Sequence, residues 1–267
     1  MLPYNKIIRQ AWMLAKTHRF LSTFGLFLVL GNILSYIDQE QVERLPQLQE
    51  YWWLIAVVAT IIWMVVYFQM KTGLIIAIKA LIDKQHTSFG KGLKASRFFY
   101  VRVLGSSLLL EISLGLLAFV IINPILSFSG TQSLILMIIG AAILIPVTIL
   151  IALMQVLAPL YIAIFDLTIK EALDRSYELA AKYWSQLVVL GIFLLAIQFG
   201  SLFLSIFVVG LVSDWVAKTA IILGFMPLFA LIAVFQQATW VLGFLELVRP
   251  QKMEEPAAEA PEIIAGG

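Results

Sequence analysis

Six long apolar stretches, separated by short polar segments, dominate the hydrophobic pattern of this 267-residue chain. They lie near residues 20–37, 51–70, 103–122, 133–160, 186–212 and 219–246. A helix rises 1.5 Å per residue, so about 20 apolar residues cross a hydrocarbon core of roughly 30 Å. The pattern therefore predicts an all-α polytopic membrane protein with six transmembrane helices.

The polar segment before the fifth stretch has its own helical periodicity. Thr168 and Glu171 match a capping box, in which each side chain satisfies a backbone N–H at a helix start. Small and apolar residues then recur on one side, and charged residues occupy the other: Ala172, Leu173, Ser176, Leu179, Ala180 and Tyr183 against Asp174, Arg175, Glu178 and Lys182. This pattern predicts an amphipathic helix at the membrane interface.

A similar segment precedes the third stretch. Ser88 can cap a helix there, and Leu93 and Ser96 match Leu173 and Ser176 at a constant offset of 80 residues. A third such segment precedes the first stretch, where Ile8, Ala11 and Ala15 are expected to share a side.

The chain is therefore interpreted as three units, each an interfacial helix followed by a membrane hairpin. The units cover residues 5–83, 88–164 and 168–249, within one membrane domain over residues 1–249. The tail, residues 250–267, is rich in Pro, Ala and Glu and is predicted to be disordered.

Composition supports the membrane assignment. Hydrophobic residues make up 61% of the chain and charged residues 13%, with a mean hydropathy of +0.97. Soluble domains have roughly 45–50% apolar and about 25% charged residues, so a water-soluble fold is excluded. The chain has no cysteine, which excludes disulfides, thiolate metal sites and thiol nucleophiles.

The distribution of Lys and Arg predicts the orientation. Of the 18 basic residues, all but Arg44 and Lys218 fall in segments on one side of the predicted spans. Because basic residues are retained in the cytoplasm, both termini and the three interfacial helices are predicted to be cytoplasmic.

Residues 158–179 carry a resemblance. The run A-P-L-Y-I-A-I-F-D, followed by K-E-A-L-D-R-S-Y-E-L at 170–179 and a fresh apolar span, resembles the membrane domain of glycerophosphoryl diester phosphodiesterases and its free-standing, uncharacterised relatives in bacteria and archaea. The resemblance implies a location in a prokaryotic cell membrane. It brings no catalytic residues, because the hydrolase chemistry in that family belongs to a separate soluble domain.

The sequence offers no pattern for catalysis or cofactor binding. His18 and His86 are the only histidines, and both lie in predicted cytoplasmic segments without other metal ligands nearby in sequence. Ser106 and Ser107 have no histidine within the spans to act as a base. Phosphate-binding glycine loops are also missing. We therefore expect a non-enzyme with no cofactor, no metal and no nucleic-acid partner.

Within the predicted spans, Glu111 is the one charged residue far from a span end. A carboxylate at mid-membrane costs roughly 2.5–3.5 kcal/mol and usually has a partner. Two interpretations stay open: Glu111 is a proton or cation site, or it packs against another span through a hydrogen bond. The candidate partners are glutamines in other spans, namely Gln155, Gln198, Gln236 and Gln237.

Together these patterns favour a protein that organises or senses the membrane through anionic lipid headgroups or a partner protein. The candidate contact residues are basic residues of the three interfacial helices: Lys6, Arg9, Lys16, Lys91, Lys94, Arg97, Arg175 and Lys182. One alternative is a small-solute transporter or channel that uses Glu111. Another is the membrane subunit of an ATP-driven transporter.

Overall fold

The computed structural model describes residues 2–34, 52–127, 131–212 and 214–254. These residues form nine α-helices and no strand, which confirms the all-α prediction for this part of the chain. The helices are α1 (Tyr4–Thr17), α2 (Arg19–Leu34), α3 (Trp52–Ile82), α4 (Phe89–Ser96), α5 (Tyr100–Ser127), α6 (Thr131–Phe165), α7 (Ile169–Lys182), α8 (Trp184–Gly210) and α9 (Trp215–Glu254).

Five helices are long and apolar enough to cross a membrane, namely α3, α5, α6, α8 and α9. The remaining predicted span, 20–37, is the first in the chain, and it begins in α2, a 16-residue helix. Its apolar part covers Arg19–Leu30, and residues 35–37 lie outside the described ranges. The structure thus supports a membrane-embedded helical protein with five candidate spans.

Four of the long helices, α3, α5, α6 and α9, extend beyond the C-terminal ends of their predicted spans. Helix α3 continues to Ile82 instead of ending near residue 70, and α6 runs through both Pro146 and Pro159 to Phe165. Helix α9 reaches Glu254, so residues 250–254 are helical where a disordered tail was predicted; residues 255–267 are outside the described ranges. The extensions form because each residue added to an existing helix gains a backbone hydrogen bond without the cost of nucleating a new helix.

The hydrophobic core is centred on the C-terminal halves of α3, α6 and α9, which contact one another, and it also includes buried residues of α1, α2, α7 and α8. Leu74 and Ile78 of α3, Leu157 of α6 and Phe244 of α9 are almost fully buried. Tyr161 of α6 packs edge-on against Phe244 of α9, with ring centroids 4.8 Å apart. We call this region, together with the short helices packed on it, the packed end of the bundle.

Each short helix packs on a different long helix at this end. Helix α4 packs on α3, α7 packs on α6, and α1 packs on α9, so that the first helix of the chain contacts the last. The α1–α9 contact includes an edge-on pair of Trp12 and Phe235, with ring centroids 6.0 Å apart. The same kind of contact thus recurs three times around the bundle.

Glycines allow two of the closest helix approaches. A Cβ at Gly25 of α2 would overlap the carbonyl oxygen of Ala230 in α9. At the α3–α4 crossing, a Cβ on Gly92 would lie 3.1 Å from the carbonyl oxygen of Gly73. Small residues bring helix backbones together in membranes, where packing replaces the hydrophobic driving force of water.

The turns after α3 and α6 both use a residue in the left-handed region. Lys84 has φ 59° and Asp166 has φ 58°. The Lys84 and Gln85 amides donate to the carbonyls of Leu81 and Ala80, which is a Schellman arrangement. The Asp166 amide donates to the Ile162 carbonyl at 3.1 Å, which is the simpler αL arrangement. Each turn directs the chain from a long helix into the next short one.

Candidate functional site

The eight basic residues named from the sequence lie on or beside the three short helices of the packed end, and all are exposed. Lys6 of α1 forms an ion pair with Glu246 of α9 at 3.4 Å, yet its side chain stays 58% accessible. Lys182 lies over the Tyr183 ring, with its Nζ 5.6 Å from the centroid. The structure therefore gathers the predicted headgroup contacts at one end of the molecule.

The opposite sides of α4 and α7 are buried against the bundle. Ser96 and Ser176, which match at the offset of 80 residues, are both fully buried. The Ser96 hydroxyl donates to the Leu93 carbonyl at 2.8 Å, and the Ser176 hydroxyl donates to the Ala172 carbonyl at 2.5 Å. Both serines are small residues at a helix contact with their hydrogen bonds satisfied within their own helix.

The buried side of α1 differs by one residue from the expectation. Ile7, Ala11 and Ala15 are almost fully buried, whereas Ile8 is only partly buried. These buried positions are spaced four residues apart, which places them on the side of α1 that faces α9. The sequence pattern alone could not choose between two adjacent isoleucines.

The capping box predicted at the start of α7 is confirmed. The Thr168 hydroxyl accepts from the Glu171 amide, and the Glu171 carboxylate accepts from the Thr168 amide at 3.1 Å and from its hydroxyl at 2.8 Å. These hydrogen bonds from Thr168 lower the pKa of Glu171, which is fully exposed. At the start of α4, Ser88 caps as predicted by accepting from the Lys91 amide.

Arg102 links the start of α5 to the turn after α6. Its guanidinium donates to the Leu167 carbonyl at 3.0 Å and forms an ion pair with Asp166 at 2.5 Å. It also lies over the Phe99 ring, 5.3 Å from the centroid. Asp166 ends the run A-P-L-Y-I-A-I-F-D, which carries part of the family resemblance, and here it holds a turn in place. Local sequence patterns do not predict this contact, because 64 residues separate the two side chains.

Glu111 lies on the exposed side of α5, among outward-facing residues such as Ile112. Its carboxylate makes no hydrogen bond or ion pair within the described ranges. The structure therefore does not bring Glu111 together with any of the four candidate glutamines. Gln155 and Gln237 are partly buried elsewhere in the bundle.

Gln198 and Gln236, by contrast, line one crevice between α6, α8 and α9, with a volume of about 350 Å³. The Gln236 side-chain amide donates to the Leu194 carbonyl at 3.2 Å and so joins α9 to α8. This hydrogen bond is of the kind that holds membrane helices together. The Gln236 amide thus has a structural role, because it connects two helices.

A second crevice, of about 300 Å³, lies between α2, α8 and α9. Most of its wall is apolar, and its polar lining consists of Gln198, Ser201, Ser205 and Lys218. The two serines are not among the site residues predicted from the sequence, and Lys218 contributes there only to the predicted orientation of the spans. The spacing of Gln198, Ser201 and Ser205 along an otherwise apolar stretch, three and four residues apart, was the available signal.

Within the described residues, no group of three His, Asp or Glu side chains has the geometry to hold a metal ion. His86 is exposed, and His18 is partly exposed with its ring 6.2 Å from that of Phe20.

Comparison of the chain with protein-family models, with curated proteins and with solved structures finds no match. The resemblance carried by residues 158–179 therefore stays a prediction.

Proposed function

We propose that this chain is a non-enzymatic integral membrane protein that organises or senses the membrane by binding anionic lipid headgroups. The observation that carries the proposal is the exposure of all eight candidate basic residues around one end of the bundle. Each Lys or Arg near an anionic surface contributes about 1 kcal/mol of attraction. We also propose that the chain is a member of the family that residues 158–179 resemble, and that it is located in a prokaryotic cell membrane.

The proposed topology places the packed end in the cytoplasm, with both termini there and α1, α4 and α7 as amphipathic helices at the interface. The sixth span of this topology begins in α2. This arrangement agrees with the exposed charges on the short helices and with the bias of basic residues to one side. A partner protein with an acidic surface is an alternative ligand for the same residues.

The other two functions have weaker support. A transport pathway through Glu111 requires that side chain to face the interior or a water-filled cavity, and in the described structure it faces outward. An ATP-driven transporter subunit requires a docking site for a nucleotidase, and no specific contact surface in the described part of the chain points to one.

The proposal is tested on α4, whose basic residues are exposed and close together. The triple variant Lys91→Gln, Lys94→Gln, Arg97→Gln removes three positive charges. The matched control Lys91→Arg, Lys94→Arg, Arg97→Lys retains all three. Both proteins are reconstituted into vesicles, and the association of spin-labelled phosphatidylglycerol is compared with that of spin-labelled phosphatidylcholine.

We expect the neutral variant to lose phosphatidylglycerol preference by about 3 kcal/mol at most, or roughly a hundredfold. The control should behave like the native protein, and salt should weaken the preference, because exposed charges are screened. An unchanged preference in the neutral variant would refute headgroup binding by α4.

A further inference from the structure

The crevice between α2, α8 and α9 has a positively charged side chain, that of Lys218, at one end. Among the described residues, Lys218 is the only charged one that lines this crevice, and its side chain is partly buried. No acidic group in the described residues forms an ion pair with it. Asp214, one turn earlier, is engaged instead in capping α9, where its carboxylate accepts from the Ala217 amide at 2.8 Å. A single positive charge at the mouth of an apolar crevice favours an amphiphilic anion.

The length of the crevice matches one leaflet of a bilayer. Along α8 it extends from Gly210 to Gln198, and along α9 from Lys218 to Ala233. At 1.5 Å per residue these segments are about 18 and 22 Å long. Half of a bilayer, headgroups included, measures roughly 20–22 Å. With Lys218 at headgroup depth, the inner end of the crevice would therefore reach the midplane.

The crevice wall suits a hydrocarbon chain. Its apolar lining includes Val29, Ile206, Ile222 and Phe229 from three helices. The Ser201 and Ser205 hydroxyls donate to the carbonyls of Gln198 and Leu202, each at 2.8 Å, so they need no polar ligand. A volume of about 300 Å³ is at the lower limit for ligand pockets and fits a chain better than a bulky headgroup.

We propose that this crevice binds one anionic phospholipid from the leaflet at the Lys218 end. Its phosphate lies beside the Lys218 ammonium, and one acyl chain lies along the wall formed by α8 and α9. The site is separate from the basic residues of the packed end. Lys218 and Glu246, which contacts α1, are 28 residues apart on α9, about 42 Å.

The test uses native mass spectrometry of the full-length protein in mild detergent with phosphatidylglycerol or phosphatidylcholine added. Lys218→Gln removes the cation, and Lys170→Gln makes the same charge change on exposed α7. Ala233→Leu fills the inner end of the crevice, and Ala142→Leu makes the same change on the exposed surface of α6. Thermal unfolding of each variant identifies any that fail to fold.

We expect the native protein to retain one phosphatidylglycerol in preference to phosphatidylcholine. Lys218→Gln should lower that preference about fivefold, in line with one charge at a membrane surface. Ala233→Leu should lower retention of both lipids, whereas both control variants should match the native protein. The neutral α4 variant should also retain this lipid, so failure of the proposed headgroup function leaves this site unaffected.

Three outcomes would overturn the proposal. Equal retention of the two lipids by the native protein would remove the role of Lys218. Retention that neither Lys218→Gln nor Ala233→Leu changes would place the lipid elsewhere. Retention of a free fatty acid in place of phosphatidylglycerol, sensitive to the same two variants, would assign the crevice to a different amphiphile.

Discussion

Glu111 shows that the sequence position of a charged side chain does not reveal its structural environment. From sequence, a lone carboxylate in the middle of a span predicts either a functional site or a hydrogen bond to another helix. In the structure it lies on the exposed side of α5, without a partner among the described residues. Its insertion cost is therefore not offset by any contact within the described bundle.

Replacement of Glu111 by Leu should leave the bundle folded and change the free energy of unfolding by no more than about 0.5 kcal/mol, because the side chain is exposed and has no partner among the described residues. Unfolding of the purified protein in mixed micelles of increasing dodecyl sulfate content measures this free energy, with Glu111→Gln as the uncharged control. A loss of stability in Glu111→Leu would mean that the carboxylate has a protein partner after all.

Glu171 is the residue for which a pH effect is expected. Its pKa is lowered by hydrogen bonds from Thr168, so its contribution to folding is present above the pKa of the unfolded chain. That contribution is lost as the pH falls through the lowered pKa. Amide protection in α7 should therefore decrease at acidic pH, after correction for intrinsic exchange rates. In Glu171→Gln this part of the pH dependence should be missing, and an identical profile in both proteins would contradict the prediction.

Among the elements, the pairing of α2 with α9 depends on one small residue. A methyl group at Gly25 would overlap the Ala230 backbone, which cannot move aside as a flexible side chain could. Gly25→Ala should therefore destabilise the protein by roughly 1–3 kcal/mol, as overpacking does in other cores.

Gly224→Ala is the matched control, because it lies on α9 with no atom within 4 Å of an added Cβ. It should be neutral, or stabilising by up to about 1 kcal/mol through helix propensity. The same dodecyl sulfate titration compares the two variants. Equal effects would mean that the α2–α9 approach is not as close as the structure describes.

At the scale of the whole molecule, the proposed topology places α4 and the α8–α9 connection on opposite sides of the membrane. The chain has no cysteine, so single-cysteine variants report on one position each. In intact cells, a membrane-impermeant maleimide should label Asp214→Cys. It should label Lys94→Cys only after permeabilisation. Labelling of Lys94→Cys in intact cells would reverse the proposed orientation.

The sequence by itself determined the helical class, the membrane environment, the positions of the short helices and the capping by Ser88 and Thr168. These features depend on composition, on local periodicity and on contacts between residues three or four apart. Local signals of this kind do not require knowledge of which helices are neighbours.

Only the tertiary structure decided which side of each long helix is buried. Helices such as α6 and α9 are apolar on all sides, so their sequences do not indicate a preferred face. The burial of Ile7, the contact of Arg102 with Asp166 and the outward position of Glu111 follow instead from helix packing between distant parts of the chain. The crevice beside Lys218 also follows from helix packing, because residues of three separate helices form its wall.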